Sequence, residues 1–343
     1  MSQALASVLG TGAFSPIGID ARQTALFARA GKLVPRPVAF KDGRGERMGT
    51  ARAMALGDDI VGVDRMLDLG ARALREALIR AKLAADHKVP VLLALPEAGR
   101  LPEEEERRLD ATPFLTELRE RSQCPIDVAA SRAVRFGSAG FVAVLEQAIA
   151  RVADGPVVVG GIDSYHHASI LKWLDTDKRV LGEVVHNGFI PSEGAAFLVL
   201  GPPKHDRRAL AKIMHVASGL EQPKTATEPR TAELMTDLVR RASESTRWLP
   251  IPWVLCDVNG ERHRSKEWSF TNIRNRGVLD LGHTKELRLY EDMGDLGAAT
   301  GALYASHIVT AFEMRFAPAE RALVCLASDG DARGVFALEA TST

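Results

Sequence analysis

Residues able to do chemistry are scattered thinly along this chain. His166-His167 is the best histidine cluster. A metal or acid–base role there would need carboxylate or cysteine partners at a defined spacing, and none is evident, so surface or helix-start histidines are expected. Asn259, Glu261 and His263 in CDVNGER form a second polar cluster, in which an amide could donate to an oxyanion or simply hold a turn. Gly10-Thr11-Gly12 follows a strand-like run, but Ser15 stands where a dinucleotide turn needs its third glycine. No phosphate-loop lysine follows, and a structural turn is the better reading. Cys124, Cys256 and Cys325 are far apart, lack metal-ligand spacing, and two lie in apolar strand-like runs. Reduced, buried thiols in a cytoplasmic protein are expected, with no metal and no cofactor.

Composition narrows the partners. Lys and Arg number 44 and Asp and Glu number 44 in 343 residues, so no basic field gathers nucleic acid or anionic lipid. No apolar run approaches the roughly 20 residues that span a bilayer. The N-terminus lacks a basic region and runs straight into a strand-like segment, unlike a signal peptide.

Strand-like and helical segments alternate on both sides of a polar, proline-bearing hinge at 202–208. Before it come strands at 4–12, 89–96, 156–161 and 194–201, with helices over roughly 63–82 and from near 137. After it come strands at 209–218, 251–260, 322–328 and 334–340, with helices over roughly 231–246 and 295–313. Met66, Leu69, Ala73, Leu74, Ala77, Leu78 and Ala81 fall on one face of the 63–82 helix. The 295–313 helix is rich in Gly and Ala on several faces, as suits a central helix closely approached by its neighbours. Glu103–Glu106 with Arg107-Arg108 reads as a solvated helix start. The repeated order implies an α/β fold in two similar halves, 1–203 and 204–343, within one structural domain.

Five segments, in order and spacing, resemble β-ketoacyl synthases of the thiolase-like superfamily. They are VLGTGAFSPIG at 8–18, VDRMLDLGARALREAL at 63–78, VVVGGIDS at 157–164, NGFIPSEGAAFLVLG at 187–201 and GDLGAATGA at 294–302. The resemblance implies two halves in α/β/α/β/α layers. It also implies a homodimer paired through a strand near the nucleophile helix, here IDVAAS at 126–131.

The reactive positions differ from the family's pattern. Where the nucleophilic cysteine is expected, FGSAG offers Gly137. A cysteine at a helix N-terminus has a lowered pKa and attacks thioesters; glycine has no nucleophile. The family's first histidine corresponds to Asn259, its lysine to Tyr290 and its second histidine to Asp295. A carboxylate at Asp295 would repel the charge developing on a decarboxylating malonyl group by roughly 4 kcal/mol at about 4 Å and an effective dielectric near 20, about three decades in rate. His283 in LGHTKEL imitates a family Gly-His-Thr, but the Gly/Ala-rich helix starts only after Gly294, so it reads as a decoy in a strand-to-loop turn. Cys124 lies about 13 residues before Gly137, too early to replace the nucleophile. The late loop SDGDARG at 328–334 also departs from the family's glycine-rich loop.

The reading is therefore a catalytically inactive synthase-like protein that binds. Its partner would be another protein, with the chain as adaptor or chaperone, or an acyl carrier or acyl chain. Proteins resembling inactive synthases accompany toxin genes of type VI secretion, so a secreted effector is the partner the resemblance suggests. The opposing reading is an acyl-thioester-processing enzyme with Asp295 as general base and Asn259 as oxyanion donor, or a chain-length-factor-like accessory subunit.

Overall fold

Continuously apolar strands need cover on both faces, and this chain supplies it with one sheet folded around two buried helices. The computed structural model describes residues 3–31, 35–84, 86–203, 209–221 and 231–341. The first part runs β1 (Ala6–Phe14), α1 (Ala21–Ala30), β2 (Arg36–Lys41), β3 (Arg47–Thr50), α2 (Gly62–Ala81), β4 (Val91–Ala94), α3 (Glu103–Arg108) and α4 (Ala111–Ser122). It continues with β5 (Arg132–Val134), α5 (Gly140–Ile149), β6 (Val157–Ser164), α6 (Ala168–Thr176) and β7 (Glu193–Gly201). The second part runs β8 (Ala211–Leu220), α7 (Glu233–Thr246), β9 (Trp253–Cys256) and α8 (Arg262–Arg274). It closes with β10 (Lys285–Leu287), α9 (Tyr290–Met293), α10 (Thr300–Glu313), β11 (Arg321–Ala327) and β12 (Ala332–Ala340). Of the expected hinge, Pro202 and Pro203 follow β7, and 204–208 lie outside the described residues.

The main sheet has ten strands in the order β10-β9-β11-β12-β8-β1-β7-β6-β4-β5. Reading outward from the centre, each strand of one half has a counterpart in the other. β1 and β8 join the halves through the pairs Ala6–Ile213, Ser7–Lys212 and Val8–Ala211. Side chains alternate across each strand. Leu92 and Ala94 of β4, Val157 and Val159 of β6, and Val324 and Leu326 of β11 face a shared central core with α5 and α10. Their neighbours face outward. Leu93, Val158, Phe197 and Val199 pack on α2 and α4. Val254, Cys256, Cys325 and Val335 pack with α7 and Trp268 of α8. The layers are α/β/α/β/α.

Three local readings are corrected. Residues 126–131 are not a strand: Ile126 makes one bridge to Val89, a turn follows, and the edge strand is β5, one step downstream. Hydrogen bonds explain this, because Ser131 Oγ accepts from Val91 N at 2.8 Å and donates to Asp127 O at 2.6 Å, curling the segment. The buried helices do not begin at 137 and 295; each is preceded by a 3-10 turn, Gly137–Ala139 and Gly297–Ala299. The acidic start of α3 is solvated only in part. Glu105 accepts from Val63 N at 2.9 Å, supplying the acceptor that the α2 N-cap residue Val61 lacks, and Glu106 accepts from Gly99 N and Leu101 N.

Candidate functional site

The carboxyl ends of β4, β6, β9 and β11 meet the N-terminal ends of α5 and α10, the place where α/β folds commonly bind ligands. Gly137, Asn259, Tyr290 and Asp295, drawn from three separate segments of sequence, line one cavity there with Ser138, Tyr165, Asp257 and Asp329. The space is about 20 Å³, enough for a single water-sized group.

Gly137 opens the 3-10 turn before α5 with φ 64°, a left-handed conformation that favours glycine. A Cβ there would stand 3.1 Å from Glu97 Oε1 and 3.3 Å from Ser328 Oγ. At the next residue, Ser138 Oγ donates to Asp257 Oδ2 at 2.9 Å and to Ala327 O at 3.1 Å. Ala139 N donates to Ser328 Oγ at 3.0 Å. At the α10 end, Gly297 N donates to Asp295 Oδ1 and Ala298 N to Asp163 Oδ2, both at 2.8 Å. The backbone N–H groups of Ala139, Gly297 and Ala298 thus already have protein acceptors.

Asp295 accepts from Asn259 Nδ2 at 2.5 Å and from Tyr165 Oη at 3.3 Å. Asn259 Nδ2 also donates to Glu261 Oε2 at 3.1 Å, so both amide hydrogens are engaged. His263, the third member of that cluster, is exposed.

Three arginines tie these groups together. Arg179 grips Glu261 through two bonds of 2.8 Å and reaches Asp329 at 2.7 and 3.1 Å. Arg264 donates to Asp329 at 2.7 Å and to Asp257 at 3.3 Å. Arg100 donates to Asp163 at 3.3 Å. Trp173 of α6 lies under both Arg100 and Arg179, 5.9 and 5.5 Å from its ring centroid. Burial alone would raise Asp329, yet Arg264 and Arg179 hold it well below the usual carboxylate range. Asp163 and Asp257 go the other way. Burial outweighs Arg100 and Arg264 and pushes each up to about 6.

The other candidates lie elsewhere. His167 caps α6, accepting from Ser169 N at 3.2 Å, whereas His166 is buried with Nε2 against Asp58 O. His283 sits in an exposed turn beside Asp280. Cys124 is buried in the outer layer with α2 and α4, outside the cavity lining. Cys256 and Cys325 are register partners on β9 and β11, and burial holds both thiols well above their ordinary pKa. Thr11 Oγ1 donates to Phe197 O inside the sheet, so the Gly10–Gly12 segment is strand throughout and not a turn. Among the described residues no group of three or more His, Cys, Asp or Glu could hold a metal, and no helix is long and apolar enough to cross a membrane.

Sequence reasoning missed Arg100, Arg179, Arg264, Asp163 and Asp257. Only Asp329 carried a signal, as part of the departing loop at 328–334.

No protein-family model matches the chain, and no curated protein does. Solved structures match over its whole length. The ishigamide ketosynthase/chain length factor is 16% identical with a TM-score of 0.76, each chain covered to 100%. A type II polyketide acyl-carrier protein in complex with its ketosynthase gives 14% and 0.77, again with 100% of each chain covered. A β-ketoacyl synthase from Burkholderia phymatum gives 14% and 0.74 with the same coverage. The chain has the thiolase-like ketosynthase fold. What the cavity does must still be argued from its residues.

Proposed function

We propose that this chain is a catalytically inactive ketosynthase-like protein that works by binding another protein, as an adaptor or chaperone in the cytoplasm. One observation carries the reading: three backbone donors at the starts of α5 and α10, Ala139 N, Gly297 N and Ala298 N, are capped by Ser328, Asp295 and Asp163, around a Gly137 that offers no nucleophile. A thioester carbonyl would find neither an attacking group at Gly137 nor a free oxyanion donor among these amides. A secreted effector, such as one of type VI secretion, is the partner favoured here. An acyl carrier protein is the alternative partner, in a chain-length-factor-like role, supported by the neighbours that are a ketosynthase/chain length factor and a carrier–ketosynthase complex.

A second reading rests on Ser138, whose hydroxyl donates to Asp257 at 2.9 Å and could be a nucleophile beside a base. It has about 20 Å³ in which to receive a substrate, and its proton is shared with Ala327 O.

The test combines affinity capture from native lysate with intact-mass analysis after incubation with malonyl and acyl thioesters. A stoichiometric protein complex and an unchanged mass are expected. An acyl adduct or turnover that Ser138→Ala removes would overturn the proposal in favour of the enzyme.

A further inference from the structure

A second small cavity, of about 20 Å³, lies where the ends of β9 and β11 meet α7 and α8. Three of its lining side chains carry sulfur: Cys256 of β9, Cys325 of β11 and Met235 of α7. All three are buried. Cys256 and Cys325 stand opposite each other in a parallel strand pair and face the same outer layer, so their side chains leave the sheet side by side. Two thiolate–metal bonds of roughly 2.3 Å reach across the roughly 4.8 Å between neighbouring strands.

The two carboxylates of this lining are committed elsewhere. Asp257 Oδ2 accepts from Ser138 Oγ, Ala327 N and Arg264 Nη1, and Arg333 grips both oxygens of Glu267. A hard cation needs several oxygens and finds no such set in the lining, and zinc finds two thiolates where it takes four donors. Sulfur alone suits a soft monovalent ion, Cu(I) above all. Trp268 adds an independent observation. Its side chain lines the cavity at 6% exposure, and its Nε1–H is buried with no acceptor among the described residues. A thiolate in the cavity would accept that hydrogen bond. The Arg264 guanidinium, in the same lining, offsets the net negative charge of a monovalent cation held by two thiolates.

We infer that Cys256, Cys325 and Met235 form a three-coordinate site for Cu(I), with Trp268 donating to a thiolate. Binding changes no oxidation state. Each thiol loses its proton as its sulfur bonds the metal, and the Met235 thioether donates a lone pair. One proton has an acceptor in place, since Cys256 Sγ donates to Glu286 Oε1 at 3.7 Å and the Glu286 side chain is 25% exposed. Burial keeps both thiols protonated at neutral pH, so affinity should rise with pH, by up to about a hundredfold per unit for two protons released. This site stands independently of the protein-binding reading.

The test is an anaerobic competition titration of the full chain against Cu(I) held by the chromogenic chelator bathocuproine disulfonate. Withdrawal of one equivalent is expected, with X-ray absorption showing sulfur neighbours only. Cys256→Ala and Cys325→Ala should each weaken binding at least about a hundredfold and Met235→Leu about tenfold, a lost ligand costing at least as much as a lost outer-shell partner. Cys124→Ala, in the outer layer of the other half, should leave the affinity unchanged. Cu(I) should also raise the parent's urea midpoint and leave that of the double variant Cys256→Ala, Cys325→Ala unmoved. No withdrawal of copper, tight binding that survives in the double variant, loss of binding in Cys124→Ala, or oxygen and nitrogen neighbours overturns the proposal. So does Zn(II) displacing Cu(I) at equal concentration. Should the cysteine variants fail to fold, Met235→Leu decides, because it nearly conserves volume and an unchanged affinity there also overturns the site.

Discussion

Asp163 shows how the site is held and where it is vulnerable. Its Oδ2 caps α10 and meets Arg100, while its Oδ1 is buried without a hydrogen-bond partner among the described residues. Burial therefore dominates and lifts its pKa from 3.8 to about 6, with Arg100 opposing. The native state binds this proton more readily than the unfolded chain does. Its stabilising contribution is thus full below about pH 4 and lost as pH rises through about 6. Asp257 acts in the same direction, and Asp329 and Glu261, both lowered, act in the opposite one. Asp163→Asn keeps an acceptor oxygen for Ala298 N and removes the titration together with the carboxylate's ion pair to the buried Arg100. Relative to the parent, this variant should gain stability between pH 4.5 and pH 7.5, by at most roughly 3 kcal/mol at about 1.4 kcal/mol per pKa unit. Urea midpoints at both pH values measure the gain, and a variant losing ground as pH rises would contradict the assignment. Little of this residue-scale network is legible in sequence. Gly137, Asn259, Tyr290 and Asp295 were located by counting from neighbouring motifs, and one cavity collects all four. Arg100, Arg179 and Arg264 come from a loop, the segment after α6 and the start of α8, and pairing across such distances leaves no spacing pattern.

At the scale of elements, hydrophobic patterning was a good guide because most strands and both central helices are buried on more than one side. The runs VVVGG, FLVL and ALVCL became β6, β7 and β11, and the Gly/Ala-rich run became α10 at the centre. The β2–β3 hairpin escaped notice. Its RPVAFK run has only Val38 fully buried, and its short strands are set by pairing with each other. Segment 126–131 misled for a related reason: a side-chain hydroxyl, Ser131, takes over backbone bonds that a strand would have made. The contact between β6 and the start of α10 is the tightest test of the packing. A Cβ on Gly161 would come within 2.4 Å of Ala298 O, a backbone atom at the 3-10 turn that Asp163 caps. A Cβ on Gly301 would instead meet Leu326 Cδ1, a side-chain end that can shift, and Phe141 Cβ, which moves only with its helix, both at 2.7 Å. Gly161→Ala should cost about 3 kcal/mol or prevent folding, and Gly301→Ala should cost less because added helix propensity offsets part of the overpacking. Urea unfolding of the two variants ranks them; equal costs would mean that the turn yields as readily as the side chains.

For the whole molecule, the pseudo-symmetric halves invite the idea that each folds alone, and the central layer argues against it. The inner faces of β4, β6 and β7 from the first half and of β9, β11 and β12 from the second pack around α5 and α10 as one cluster. Leu303, Tyr304, Ile308 and Val309 of α10 belong to that cluster although they lie beyond residue 203. Cutting the chain there would leave the first half with α5 but without the helix that packs beside it, and with one face of its sheet exposed. Exposed apolar surface is worth about 25 cal/mol per Å², and only a few kcal/mol of net stability is available to lose. The strand junction offers little compensation, since β1 and β8 share three residue pairs. Residues 1–203 expressed alone should therefore show no cooperative urea transition and should bind a dye that reports exposed apolar surface, while the full chain unfolds in one step. A cooperative transition in the fragment would mean that α5 and its own half-sheet suffice as a core, and that the two halves are separable units whose contact could itself be regulated by a partner.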